Sequence, residues 1–83
     1  MVISEARKIF DAGGLRSATV FRGYGLMTDE PQWWLEITPV RGEPVFLGAD
    51  KTGLTRIFKT VNAAVNAAKQ IGFDSVNVEG LQR

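Results

Sequence analysis

The groups best able to do chemistry are nine carboxylates: Glu5, Asp11, Asp29, Glu30, Glu36, Glu43, Asp50, Asp74 and Glu79. General acid–base catalysis needs such a group desolvated beside a partner. Here they are spread along the chain, and no spacing puts two on one buried face, so they read as solvated surface. Histidine and cysteine are both absent. That removes Ser-His-Asp and Cys-His nucleophiles and nearly every protein zinc site. Gly23-Tyr24-Gly25 begins like a phosphate-binding loop, but no third glycine and no helical pattern follow, so a turn is expected there. The chain reads as a non-enzyme with no cofactor, no metal and no small-molecule substrate.

Two other groups of residues are suited to binding. Trp33 and Trp34 are adjacent in a run with strand character, and adjacent strand residues face opposite ways. If Trp33 packs under the helices, Trp34 lies on a face that a two-layer fold leaves uncovered, unless the Gly25–Pro31 loop folds over it. Glu36 shares that face, and Phe46 or Phe58 is expected beside Trp34. An apolar patch of Trp34, Glu36, Phe46 and Phe58 is therefore the candidate protein interface, with tryptophan as its energetic anchor and a homodimer as its simplest user. The second group is basic. Arg16, Arg22, Arg41, Lys51, Arg56 and Lys59 lie on or beside expected strands, and Arg22, Lys51, Arg56 and Lys59 are the candidate nucleic-acid contacts. Gathered on one sheet edge they could track phosphates, as β-sheet readers of DNA do. The plainer reading is that they are surface charges that discourage edge pairing. Asn62 and Asn66, on one exposed helix face, could contact bases or simply be solvated.

The elements that position these residues are legible in the patterning. Thr60 is a helix N-cap, because its hydroxyl can accept from orphan backbone N–H groups. Val61, Ala64, Val65, Ala68 and Ile71 then form one apolar stripe, and Gly72 closes the helix with Lys69 in its last turn. Val2 to Ala12 reads as an earlier helix, capped by Ser4 or a residue just before it, and Gly13-Gly14 ends it. Strands are expected over Leu15–Tyr24, Gln32–Val40, Val45–Ala49 and Leu54–Lys59, with a tight loop at Asp50–Gly53. A short strand follows, in which Val76 and Val78 alternate with Ser75 and Asn77. Gly80–Arg83 reads as a frayed tail. The order α-β-β-β-β-α-β implies a single α+β domain over residues 1–83, with one antiparallel sheet of four to five strands and both helices on one face.

Composition narrows the class further. Apolar residues make up 45% of the chain and charged ones 23%, as in ordinary globular proteins. Ten lysines and arginines against nine acids leave a net charge of only +1, less basic than most nucleic-acid modules. No apolar run is long enough to span a bilayer, no signal segment is visible, and the lack of cysteine suits the cytoplasm.

A strand ending in Arg56-Ile57-Phe58-Lys59-Thr60 leads into a helix with paired alanines, then Ile71-Gly72-Phe73 and Val76-Asn77-Val78. With Glu5-Ala6-Arg7-Lys8, Gly14-Leu15-Arg16-Ser17-Ala18 and Trp33-Trp34-Leu35, this order resembles small proteobacterial proteins of plasmids and integrating elements, the ParC-type partition-associated and RepB-type replication-associated proteins. The resemblance covers nearly the whole chain and implies an accessory role in plasmid maintenance, with itself or a larger partition or replication protein as partner. Residues Arg56 to Ile71 are also similar to the last strand and helix of AP2-like integrase arm-binding domains, whose three-stranded sheet contacts the major groove. The N-terminal helix and terminal strand of this chain are additional to that pattern.

Overall fold

Alternation along the second long strand builds the core. In the computed structural model, which describes residues 1–24, 31–48 and 55–79, Trp33, Leu35 and Ile37 are all buried, while Trp34, Glu36 and Thr38 are only half-buried. The chain runs α1 (Ile3–Asp11), β1 (Leu15–Tyr24), β2 (Pro31–Pro39), β3 (Val45–Phe46), α2 (Val61–Ile71) and β4 (Asn77–Glu79). Ala18 and Val20 of β1 sit opposite Ile37 and Leu35 in an antiparallel register and are buried with them. Against this surface pack Ala64, Ala67, Ala68 and Ile71 of α2 and Ala6 of α1. Small alanines let the helices approach the sheet closely, and α1 rests on both α2 and β1. The class is α+β, with two helices against one face of a four-stranded sheet.

The sheet is mixed, which corrects the expected all-antiparallel arrangement. Its order is β3-β2-β1-β4, and β4 lies parallel to β1, with Val20 opposite Val78. The segment before β4 crosses the sheet as α2, and such a crossover can return the chain in the direction of β1. The expected strands Val45–Ala49 and Leu54–Lys59 are also cut short, because both use the same edge of β2. Val45 and Phe46 pair with Ile37 and Glu36, and the Leu47 N–H donates to the Leu35 carbonyl at 2.8 Å. Beyond that point Phe58 takes over, exchanging two backbone hydrogen bonds with Trp33 at 2.9 and 2.8 Å. Residues 55–58 therefore contribute single bridges, Thr55 to Gly48 and Phe58 to Trp33, rather than a continuous strand.

The helix ends follow local chemistry. The Thr60 hydroxyl accepts from the Ala63 N–H at 3.1 Å, the expected N-cap. Gly72 ends α2 at φ +134°, and the Phe10 ring packs so close that a Cβ there would lie 2.6 Å from it. Phe10 and Phe73 then meet edge to face, with centroids 4.9 Å apart, and lock α1 to the end of α2. In α1 the N-cap is Val2, a residue ahead of Ser4 rather than Ser4 itself. Valine offers no acceptor, and the Glu5 carboxylate instead accepts from the Val2 N–H at 3.1 Å, half of a capping box.

Candidate interaction surface

The face of the sheet opposite the helices is assembled by register. Alternation with the buried positions assigns to it Ser17, Thr19, Phe21 and Gly23 of β1, Gln32, Trp34, Glu36 and Thr38 of β2, Phe46 of β3, and Asn77 and Glu79 of β4. Phe21 is the direct cross-strand partner of Trp34, and Phe46 that of Glu36. The two phenyl rings lean toward each other from the strands on either side of β2 and meet edge to face, with centroids 6.4 Å apart and planes at 68°. Their contact lies over β2 between Trp34 and Glu36.

Gly23 makes room for the third ring. A Cβ at this position would run into Cζ3 and Cη2 of the Trp34 indole, so the ring lies directly across the bare β1 backbone. Phe21, Arg22, Trp34, Phe46 and Thr55 line an open cleft of about 400 Å³. Phe46 is 46% exposed, high for a phenylalanine in contact with another ring. The result is an aromatic cluster beside a carboxylate, on a face over which no helix of the described residues lies.

Of the residues singled out in the sequence, Trp34, Glu36 and Phe46 are brought together here. Phe58 is not. It is only 5% exposed and belongs to the core, where it pairs with Trp33 and faces the helix layer. The expectation failed because residues 55–58 join β2 opposite Trp33, which gives Phe58 the orientation of Trp33 rather than of Trp34. Phe21 and Gly23 were not expected in the surface. Phe21 alternates with the inward-facing Val20, a signal already in the sequence, but only the β1–β2 register brings it opposite Trp34.

Of the basic candidates that are described, Arg22, Arg56 and Lys59, none holds a register position on the open face. Arg22 stands opposite Trp33 on the helix side, with its guanidinium carbon 5.9 Å from the Trp33 ring centroid. Arg56 is exposed and covers the Phe58 ring at 4.9 Å. Both cations thus cap the rings of the Trp33–Phe58 pair, where the attraction is to the π face. Lys59 is exposed just ahead of α2, and Asn62 and Asn66 are exposed within it. Lys51, the Asp50–Gly53 loop, the loop segment 25–30 and the tail 80–83 lie outside the described residues.

Among the described residues no three acidic side chains converge as a metal site, and no helix is long and apolar enough to cross a membrane. A second open groove of about 540 Å³ lies where the end of α1 meets the turn after β2, between Ile9, Leu15, Pro39 and Val40. Comparison with family models, curated proteins and solved structures finds no match.

Proposed function

We propose that the protein is a non-enzymatic accessory factor of plasmid maintenance, working in the cytoplasm as a protein-interaction module that docks through the open face of its sheet. The observation that carries the docking is the contact of Phe21 and Phe46 across β2 beside Trp34. Three large rings next to one another on a surface that no helix of the described residues covers make an apolar patch of the kind that marks an interface. Aromatic residues at the centre of such a patch are the usual binding anchors. The plasmid context comes from the resemblance of the segments around Glu5–Lys8, Trp33–Leu35 and Arg56–Val78 to partition- and replication-associated proteins.

Self-association and docking to a different chain are both forms of this function, and the same substitutions test them. Trp34→Ala and Phe46→Ala are expected to keep the fold while raising the loss rate of the replicon that carries the gene. Unchanged plasmid retention in both variants would overturn the proposal. The competing reading, DNA binding through basic strand residues, is less well supported. Arg22 and Arg56 are held over aromatic rings, and the described register positions of the open face carry carboxylates instead of cations.

A further inference from the structure

We infer that the occupant of the open face is a basic segment of another protein, which lays an arginine or lysine side chain against the Phe21, Trp34 and Phe46 rings beside Glu36. The inference rests on the docking role proposed above and adds the chemistry of the partner.

Charge on this face is one-sided. Glu79 sits directly beside Phe21 on the β4 side, while Glu36 lies next to Phe46 and diagonal to Phe21 on the β2 side. Among the described residues, the register positions of the face hold no lysine or arginine. Arg22 lines the cleft beside Phe21 but carries its guanidinium over Trp33 on the helix side, and Arg16 belongs to the bulge that opens β1, at the far end from the rings. Any partner that covers the cleft removes water from Glu36, which is already half-buried. A carboxylate desolvated without a counter-charge opposes binding strongly, so the covering surface must supply a cation. The aromatic rings favour the same choice, since a guanidinium or ammonium is attracted to their π faces while its aliphatic stem packs on them.

Among the described residues, the same face of a second copy holds no such cation. Self-association would bring both copies' Glu36 and Glu79 into one interface with no basic residue among the described positions of the face to answer them, and like charges brought together across an interface select against a pairing. Nucleic acid is disfavoured for the same reason, because phosphates would meet the two carboxylates.

The test is selection from a random-peptide display library on immobilised wild-type protein, with Trp34→Ala and Phe46→Ala as counter-selections and sedimentation velocity run alongside. Peptides that depend on Trp34 and Phe46 are expected to be enriched in arginine or lysine next to an apolar residue. Their synthetic versions are expected to bind Glu36→Gln about two- to fivefold more weakly than wild type, the size of a partly exposed ion pair. Trp34-dependent peptides without basic enrichment, or binding indifferent to Glu36→Gln, would overturn the partner chemistry while leaving the docking face intact. A dimer abolished by Trp34→Ala would overturn it in favour of a second copy. No Trp34-dependent peptide together with a monomer would remove both the inference and the docking role beneath it.

Discussion

Phe46 and Phe58 are the same residue type, both close to β2, and only one of them belongs to the core. Phe58→Ala removes a buried ring paired with Trp33 and is expected to cost about 3–5 kcal/mol. Phe46→Ala trims a ring that is 46% exposed and is expected to cost less than about 1 kcal/mol. Urea unfolding followed by circular dichroism separates the two, and equal losses would contradict the assignment of faces. Gly23 allows a finer cut. In Gly23→Ala the new methyl collides only with the far end of the Trp34 ring, which can swing outward, so stability should fall by under about 1 kcal/mol. The Trp34 indole N–H resonance should nevertheless shift and docking weaken, which separates the shape of the surface from the integrity of the fold.

Among the elements, α2 was the most legible in sequence, because its start, stripe and stop are all local. Thr60→Ala deletes the bond to the Ala63 N–H and should cost about 1 kcal/mol. Gly72→Ala should cost more, roughly 1–3 kcal/mol, because φ +134° disfavours any side chain and the new Cβ would meet Phe10. A thermal melt should therefore rank wild type above Thr60→Ala and Thr60→Ala above Gly72→Ala, and the reverse order of the two variants would show that the α1–α2 lock is weaker than its geometry. The strands were less legible. Both ends of β1 were read from composition, but β3 and residues 55–58 appeared as two full strands. Each carries a strand-like pattern, and nothing local records that they compete for one edge of β2.

At the scale of the whole molecule, the two faces of the sheet divide the work. One face, with Ala18, Val20, Trp33, Leu35 and Ile37, joins the two helices in the core. The other leaves Phe21 and Trp34 half-buried and Phe46 exposed, the rings proposed above to meet a partner. A domain of 83 residues buries a modest share of its surface, so leaving three rings outside the core is a sizeable concession of stability. The charge pattern of the open face predicts that the free protein sediments as a monomer. It also predicts that labelled duplex DNA shows no tight, steeply salt-dependent binding in an anisotropy titration. Such binding, lost in Arg56→Ala, would instead place function on the basic residues at the Trp33–Phe58 end.

What the sequence determined by itself was local. The cap at Thr60, the stop at Gly72 and the alternation that sets Trp33 and Trp34 on opposite faces depend on residues a few positions apart, and short-range sterics and hydrogen bonding decide them. The tertiary structure alone decided that β4 runs parallel to β1, that Phe58 enters the core, and that Phe21 and Phe46 close over β2 beside Trp34. Those outcomes depend on which strand edges become neighbours. Neighbours are chosen by the packing of the whole chain, in which α2 packs on β1 and β2 and the chain then reaches the free edge of β1 as β4. Alternation assigns a residue to one side of its own strand, and only the register between strands says which residues it will meet there.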